Sequence, residues 1–323
     1  SASTSEQLTL QEKLFDNSSI TPAIRANDAT DVHAMRGSVI PTQPARPWRS
    51  ASLDHVQCGH IDCEAAERET GVDLGLYSVT FNNDCQLDLA TLEAYKSFRE
   101  EAERKGFRHF LEVFNPNLPD TVAAGQVPQF INDVIARTLA GVTQAQRPVF
   151  LKIVYNGPAA MEELVAYDPH LVVGVLGGGA GTTLDAFTLL YEARRYGARA
   201  ALFGRKINQA ENQLAFIEFL RRIADGDLEP VEAVRAYHAV LQRLGISPHR
   251  SLEEDLTLQT SVMSYGGSGR TISLPASSST SNGKATTPVP TDSRLTDSPN
   301  FAAMTSEQRL AYHMQRLNKS LGR

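Results

Sequence analysis

The middle of the chain alternates short apolar runs with amphipathic segments, and this alternation limits the fold more than any other feature. Five runs rich in β-branched and aliphatic residues lie at positions 74–81, 109–114, 149–155, 171–176 and 198–203. Segments with apolar residues at helical spacing fill the gaps. Because parallel strands need crossover connections that are usually helices, the pattern predicts an α/β fold with a parallel sheet.

The crossover helices are predicted at residues 89–105, 129–140, 159–167 and 184–196, and two further helices at 213–223 and 231–244. On the first helix one face carries Leu92, Tyr95, Phe98 and Ala102. Gly106 follows that helix as a C-terminal stop. Each helix therefore offers an apolar stripe that can cover one side of the sheet.

Side chains alternate between the two faces of a strand, so the order of residues predicts which of them face the interior of the sheet. In the first run the helix-facing positions are Tyr77, Val79 and Phe81, and the interior positions are Ser78, Thr80 and Asn82. In the third run, Leu151 and Ile153 share one face and Lys152 has the other. A lysine directed inward is costly unless it is neutral, paired or reactive.

The beginning of the chain is too short and too polar for a complete eightfold barrel. Three more βα units would have to fit into residues 1–70, whereas such barrels usually need about 250 residues in all. We expect these units to be abbreviated or absent, with remnants at residues 31–40 and 52–58 and a short helix near 63–69. Residues 1–70 are therefore assigned to an irregular arm with early barrel elements, and residues 71–258 to the barrel core.

The end of the chain has a different composition. Residues 259–304 are rich in Ser, Thr and Pro, cannot bury a core, and are predicted to be a flexible, disordered linker. Residues 305–323 are predicted to form a capped amphipathic helix whose stripe is Leu310, Met314, Leu317 and Leu321. Such a helix is typical of a docking peptide for a partner or an enclosing shell, and the alternative is a tail that packs on its own subunit or frays.

Three blocks of the core resemble, in order and spacing, the active-site segments of the class I (Schiff-base) aldolases. Lys152-Ile-Val-Tyr-Asn-Gly157 is similar to the strand-six lysine segment of archaeal-type fructose-bisphosphate aldolases and deoxyribose-phosphate aldolases. Gly174-Val-Leu-Gly-Gly-Gly-Ala-Gly-Thr-Thr183 resembles their strand-seven phosphate loop. Residues 202–209 resemble their strand-eight segment. The resemblance covers roughly residues 71–244 and implies a TIM-type (β/α) barrel with Lys152 as the imine-forming lysine.

The resemblance also implies a site for the substrate phosphate. Its residues are Gly177, Gly178, Gly179, Gly204 and Arg205. Glycines let backbone N–H groups approach an anion, and the helix that starts near Thr182 would offer its positive N-terminal end. In many barrels a phosphate binds after strands seven and eight.

The resemblance identifies the proton-transfer residues less directly than it identifies the lysine and the phosphate site. The fructose-bisphosphate members are expected to have an acidic residue early in the barrel and a tyrosine after strand five, but Phe114 stands where that tyrosine would be. Glu112, Tyr155 and Asp54 are the substitutes, the last because Asp54 is followed by His55 as in the family's first-strand segment. The departure at Phe114 argues against fructose 1,6-bisphosphate itself as the substrate.

A second chemical cluster is Cys58-Gly-His60-Ile-Asp-Cys63, since thiolates and an imidazole at close spacing can bind zinc. A fourth ligand such as Cys85, His55 or Asp62 would be required. The simpler interpretation, small buried side chains beside a surface histidine, is preferred, and no metal is assigned. With only three cysteines, a disulfide framework is not expected and a reducing compartment fits.

Composition excludes other classes of partner. The formal net charge is -6 and no basic stripe is present, so nucleic-acid binding is not expected. No apolar run reaches about 18 residues and the N-terminus lacks a secretory-signal pattern, so a cytoplasmic protein without membrane spans is expected, free or within a protein assembly.

These observations favour a lyase of carbohydrate metabolism that cleaves or forms a carbon–carbon bond in a phosphorylated ketose or related carbonyl compound. The imine supplies the electron sink, so no cofactor is expected, and the protein is expected to form a homo-oligomer. One alternative is an acyl or ketol transferase that uses the same lysine. The other is a non-catalytic, barrel-derived assembly protein, which the compressed N-terminal third and the polar terminal arms favour.

Overall fold

The structure is a computed structural model that describes residues 2–32, 36–179, 181–259 and 308. Its strands are β1 (Ile24–Arg25), β2 (Asp28–Ala29), β3 (Pro47–Trp48), β4 (Leu74–Thr80), β5 (Arg108–Phe114), β6 (Leu151–Ile153), β7 (Val173–Leu176) and β8 (Ala200–Leu202). Six of them form one parallel sheet in the order β1-β4-β5-β6-β7-β8, and β2 and β3 form a separate antiparallel pair. The linker and terminal helix predicted at 259–304 and 305–323 lie outside the described residues, except for residues 259 and 308.

The helices are α1 (Ala2–Glu6), α2 (Leu53–Cys58), α3 (Cys85–Arg104), α4 (Val127–Leu139), α5 (Pro158–Tyr167), α6 (Thr183–Arg195), α7 (Arg205–Asn208), α8 (Gln213–Asp225), α9 (Pro230–Arg243) and α10 (Leu252–Asp255). Helices α3 to α6 connect successive strands from β4 to β8. The five core strands and six helices predicted from periodicity are confirmed, although β6 is shorter than its apolar run.

Local sequence explains where the first long helix begins and ends. The side chain of Asp84 accepts a hydrogen bond from the N–H of Leu87 at 2.9 Å, which satisfies one of the donors at the start of α3. After the helix, Gly106 has a φ of +61°, a left-handed conformation that glycine adopts at little cost. The chain then turns directly into β5 and returns to the sheet.

The sheet curls into a half-barrel, and among the described residues it does not close. The described residues therefore do not form a complete barrel, and they contain only short pieces of the N-terminal units that were predicted to be abbreviated or absent. Within the described part of the chain, only the two-residue strand β1 pairs with β4 on the side away from β5. Residues 53–58, a suggested strand remnant, form helix α2 instead.

The main core lies between the outer face of the sheet and its helices, as strand parity predicts. Tyr77 and Val79 on β4 are each only 1% exposed. The ring of Tyr77 stacks on Phe98 of α3 with 4.5 Å between centroids. Leu151 and Ile153 of β6 are buried in the same core. Burial of each of these four side chains contributes roughly 1.5–3 kcal/mol to folding stability. Because side chains alternate between the two faces, the residues between them must lie on the inner face.

A second, smaller core joins the C-terminal helices to α6. Phe187 of α6 contacts Phe216 of α8 at 5.2 Å between ring centroids, and Phe216 meets Tyr237 of α9 edge to face at 5.6 Å. All three rings are fully or almost fully buried. This cluster fixes the helix that follows β7 and so positions the loops at the carboxyl ends of β7 and β8.

Among the described residues, no helix combines the length and the apolar character needed to cross a lipid bilayer.

Candidate active site

The inner face of the sheet carries one continuous row of residues across four strands. The backbone register pairs Ser78 with Glu112, Glu112 with Lys152, and Lys152 with Gly174. Residues paired across parallel strands point to the same side, so the three side chains of this row share the interior. The interior orientation predicted for Lys152 and Ser78 follows directly from this register.

Lys152 is paired with a carboxylate in this row. Its Nζ lies 2.5 Å from Oε1 of Glu112, and the hydroxyl of Ser78 donates a hydrogen bond of 2.5 Å to the other oxygen, Oε2. Arg25 of β1 donates to the Ser78 hydroxyl at 3.0 Å and lies 3.7 Å from Oε2. The Glu112 side chain is only 2% exposed, whereas the Lys152 side chain is 17% exposed. The amine is therefore the member of the pair that a small molecule can reach.

Apolar layers lie on both sides of this ion pair along the strands. Toward the amino ends, the rings of Phe110 and Phe150 stack with 4.5 Å between centroids. Toward the carboxyl ends, Phe114, Val154 and Leu176 form a buried cluster of their own. Charges enclosed between such layers are poorly solvated and interact more strongly with each other than they would in water.

Gly174 leaves space beside Lys152 on the neighbouring strand. A Cβ at position 174 would lie 2.7 Å from the carbonyl oxygen of Leu151 and 2.9 Å from the Cβ of Ala200. Both distances are too short for a real side chain, so only glycine fits between the adjacent strands. The interior next to the lysine amine consequently carries no side chain on β7 at this level.

Asp31 adds a second buried carboxyl group that the sequence did not single out as a site residue. It lies in a 3₁₀ turn (Thr30–Val32), is 3% exposed, and accepts a hydrogen bond from the Thr80 hydroxyl at 3.2 Å. Its other oxygen, Oδ1, has no hydrogen-bond partner within the described part of the chain. Burial raises the pKa of this carboxyl above 3.8, and the charge of Glu112 raises it further, against the opposing hydrogen bond from Thr80. Asp31 is thus suited to hold a proton.

The structure does not bring Tyr155 or Asp54 to Lys152. Tyr155 has the opposite parity, is 3% exposed in the core between sheet and helices, and its hydroxyl has no partner among the described residues. Asp54 lies on α2, 2.9 Å from the Nζ of Lys105. Because Lys105 lies in the short turn between α3 and β5, this ion pair is at the amino-terminal edge of the sheet. Both residues are better explained by packing and by a structural ion pair than by contact with a substrate.

The proposed phosphate loop follows β7 and lies beside the start of α7. Gly177 donates its N–H to the carbonyl of Leu202 at 2.9 Å, which joins the loop to the end of β8. Gly178 has a φ of +57°. A Cβ on Gly179 would lie 3.1 Å from the Cβ of Arg205, so the arginine side chain passes close to the loop backbone. Gly204, immediately before Arg205, is exposed. The five residues named from the sequence therefore lie together at the carboxyl ends of β7 and β8.

The N-terminus of α6 does not offer the free positive end that the sequence suggested. The side chain of Asp185 accepts hydrogen bonds from the N–H and hydroxyl of Thr182, at 2.7 and 3.0 Å. Asp255, far along the chain, accepts from the N–H of Thr183 at 2.7 Å. Two buried carboxylates already satisfy this helix end. An anion would instead meet the loop backbone and Arg205.

A buried lysine that the sequence did not select lies next to this loop. Lys206 of α7 is 8% exposed and donates to the carbonyl oxygen of Gly181 at 2.6 Å. Burial lowers the pKa of its amine, and the positive charge of Arg250 lowers it further. Lys206 therefore serves as the control residue in experiments on Lys152.

The cysteines form one disulfide, which the sequence analysis does not predict. Cys58 and Cys63 are joined by a disulfide that closes the loop after α2, whereas Cys85 is a free, exposed thiol. A single bond across so short a loop is not the framework of a disulfide-stabilised fold. His60 lies in the same loop, with its Nε2 3.3 Å from Oε1 of Glu67.

The fold has a known counterpart. The chain is similar in structure to a fructose-bisphosphate aldolase from Slackia heliotrinireducens DSM 20476, with a TM-score of 0.51 and 13% sequence identity over 71% of this chain and 69% of that chain. No protein-family model matches the chain, and no curated protein matches it in sequence. At this level of identity the similarity establishes an aldolase-like fold and does not distinguish one aldolase family from another.

Proposed function

We propose that this protein is a class I aldolase-type lyase that cleaves or forms a carbon–carbon bond in a phosphorylated ketose or related carbonyl compound. The observation that carries the proposal is the partly exposed amine of Lys152, held 2.5 Å from the buried carboxylate of Glu112 on the inner face of the sheet. An aldolase-like fold supports the same reaction class.

The pair supplies the first chemical step. The ammonium of Lys152 gives a proton to Glu112 as a ketone approaches, and the free amine adds to the carbonyl carbon. Loss of water from the resulting carbinolamine requires a proton on the departing oxygen. Glu112 or Asp31 supplies it, and burial favours the protonated form of Asp31 because it raises the pKa of that carboxyl. The product is a protonated imine on Lys152.

The protonated imine then acts as an electron sink. A carboxylate removes the proton from the substrate hydroxyl, the carbon–carbon bond breaks, and its electron pair moves into the imine to form an enamine while an aldehyde leaves. Protonation of the enamine carbon and addition of water release the second carbonyl product and restore the amine. The apolar layers on both sides of the pair reduce its contact with bulk water, which strengthens these charge interactions.

A phosphate on the substrate would bind at the carboxyl ends of β7 and β8. Arg205 supplies the charge, and the backbone of the loop from Gly177 to Gly179 supplies N–H donors. The loop follows β7, the strand next to Lys152, so a substrate can extend from the amine toward Arg205. The two buried carboxylates at the start of α6 repel an anion placed there, which directs the phosphate to the side of Arg205.

One observation favours a different role. The described sheet is open, and an open half-barrel leaves its interior less enclosed than a complete barrel does. A non-catalytic assembly protein would tolerate this, and in that case Lys152 and Glu112 would be a structural ion pair. The same experiment separates the two functions.

The test is turnover with a panel of phosphorylated ketoses and, in the synthetic direction, of ketone–aldehyde pairs. The wild-type chain is compared with Lys152→Met and with Lys96→Met, which removes an exposed lysine on α3. We expect the first variant to lose activity and the second to retain it. Product analysis distinguishes cleavage from acyl or ketol transfer. Equal turnover by all three proteins, or none with any substrate, would contradict the proposal.

A further inference from the structure

The loop between α2 and β4 holds a second group of chemically reactive side chains. Cys58, His60 and Glu67 place one ligand atom each within 4.8 Å of one another, and Cys63 is bonded to Cys58. We propose that, once the disulfide is reduced, these four side chains bind one Zn²⁺ ion, so that the loop is closed either by the disulfide or by the metal.

The separation between His60 and Glu67 already fits a tetrahedral ion. Zinc bonds of about 2.0–2.3 Å at tetrahedral angles put ligand atoms roughly 3.3–3.8 Å apart. The Nε2 of His60 lies 3.3 Å from Oε1 of Glu67. Two cysteines, a histidine and a carboxylate also make a donor set that zinc accepts. His60 and Glu67 are exposed and Cys58 is partly exposed, so an ion can reach them from solvent.

The histidine and the carboxylate are already oriented by neighbouring backbone groups. The Nδ1 of His60 lies 2.8 Å from the carbonyl oxygen of Ile61, an atom that can only accept, so Nδ1 carries a proton and the neutral ring has its lone pair on Nε2. The second oxygen of Glu67 accepts from the N–H of Glu64 at 2.8 Å. Metal-binding histidines generally donate their other ring N–H in this way. Nε2 faces Oε1 of Glu67 at 3.3 Å, and a metal ion can take the place of the proton that joins these two atoms.

The place of the loop in the fold indicates what its closure does. Helix α2 buries Leu53 and Val56 completely, and the N–H of Val72 donates to the carbonyl of Val56 at 3.0 Å just before β4 begins. Residues 53–72 therefore cover the amino-terminal edge of the sheet, on the side opposite the carboxyl-end loops. Closure of the loop holds residues 53–72 against this edge of the sheet. The proposed zinc ion takes no part in the chemistry at Lys152.

The exchange is balanced as follows. An external dithiol reduces the Cys58–Cys63 disulfide to two thiols and is itself oxidised to a disulfide. Zn²⁺ then displaces the two thiol protons and binds the two sulfurs, the Nε2 of His60 and a carboxylate oxygen of Glu67. Oxidation of the two thiolates by an external disulfide releases the ion and restores the bond between the cysteines.

The test uses Co²⁺ as a spectroscopic substitute for zinc on the full chain, in reduced and oxidised form, under anaerobic conditions. We expect the reduced protein to bind one Co²⁺ with the visible bands of a tetrahedral ion and a sulfur-to-cobalt charge-transfer band, and Zn²⁺ to displace it. The oxidised protein should give no charge-transfer band. Zinc should also raise the melting temperature of the reduced protein but not of the oxidised protein.

Variants identify the ligands. Glu67→Gln and His60→Asn should each weaken binding by at least the roughly 10- to 100-fold known for the loss of an outer-shell partner. Cys58→Ser should weaken both the binding and the charge-transfer band, and the double variant Cys58→Ser/Cys63→Ser should abolish the band. Cys85→Ser is the matched control and should bind as the wild type does. Absence of tetrahedral cobalt bands in the reduced protein, or binding unchanged in Cys58→Ser, would overturn the proposal. Both results are independent of turnover at Lys152.

Discussion

The amine of Lys152 lies 2.5 Å from the carboxylate of Glu112, and the two residues face each other in register on neighbouring parallel strands. Because the carboxylate is almost completely buried and also accepts from Ser78, its position is fixed, whereas the lysine retains access to solvent. The proposed chemistry depends on this arrangement, so substitutions of Glu112, Asp31 and Arg205 should each affect a different step.

Glu112→Gln keeps the shape of the side chain and removes its charge. Turnover should fall by roughly 10²- to 10⁴-fold, the range typical of a lost general acid–base group. The variant should still bind substrate, because Lys152 and Arg205 are unchanged. Steady-state kinetics measure the effect, and a loss confined to KM with unchanged kcat would remove Glu112 from the proton-transfer role. Glu218→Gln, on the exposed face of α8, is the control.

Asp31→Asn separates catalysis from stability. Since burial raises the pKa of Asp31, the folded protein binds this proton more tightly than the unfolded chain, and the carboxylate destabilises the fold at neutral pH. The asparagine variant should therefore be as stable as the wild type or more stable at pH 7 by chemical denaturation. If Asp31 is the proton donor, kcat should fall by roughly 10²- to 10⁴-fold in the same protein. A variant with full activity would exclude that role.

Arg205→Ala tests the phosphate site. A charge-assisted contact contributes roughly 1.5–3 kcal/mol, so kcat/KM for phosphorylated substrates should fall roughly 10- to 100-fold. Substrates without a phosphate should be nearly unaffected. Arg221→Ala, at a well-exposed position on α8, should leave both classes unchanged. Equal losses for substrates with and without phosphate would show that Arg205 acts on the fold and not on the anion.

His109 gives the fold a specific pH dependence. It is 3% exposed on the helix side of the sheet, and its Nε2 lies 2.9 Å from the hydroxyl of Tyr95. Burial and, to a smaller extent, the charge of Arg99 lower its pKa to about 4. The unfolded chain, with a histidine pKa near 6.5, binds the proton more readily, so this stability is complete above pH 6.5 and is lost as the pH falls toward 4. Over this pH range, the contribution of His109 to the free energy of unfolding falls by about 3 kcal/mol.

Urea unfolding of the wild type and of His109→Gln between pH 7 and pH 4 measures this contribution. The glutamine variant lacks a titrating group at this position, so the difference in unfolding free energy between the two proteins should shrink as the pH falls. A difference that stays constant with pH would contradict the account of His109 as a buried neutral imidazole.

The sequence predicts those parts of the fold in which the alternation of apolar and polar residues along a strand matches their burial in the structure. The parity of β4 and β6 placed Tyr77 against the helices and Lys152 in the interior, because a residue's face follows from its position once its neighbours are buried. The pairing of Lys152 with Glu112 follows from the same parity on the adjacent strand. Glu112 had been selected from its segment, but its contact with the lysine required the register between the strands.

The other features of the candidate site depend on contacts between residues far apart in the chain, and no local sequence pattern indicates such contacts. Asp31 lies in a turn without periodicity and reaches Thr80 from far along the chain. Asp255 closes the start of α6 from a short helix near the end of the described region, so the helix end that seemed available for an anion is already satisfied. Likewise, Tyr155 is a candidate substitute for the tyrosine that Phe114 replaces, but it is buried in the core between the sheet and the helices.

The most direct test of the central claim is reductive trapping of the imine. The protein is incubated with a phosphorylated ketose, reduced with borohydride and digested, and its peptides are mapped by mass spectrometry. The account predicts that the added mass lies on Lys152, that it is absent from Lys152→Arg, and that Lys206→Arg retains it. Substrate-dependent labelling at Lys206 or another lysine, or turnover without any labelling of Lys152, would contradict the account.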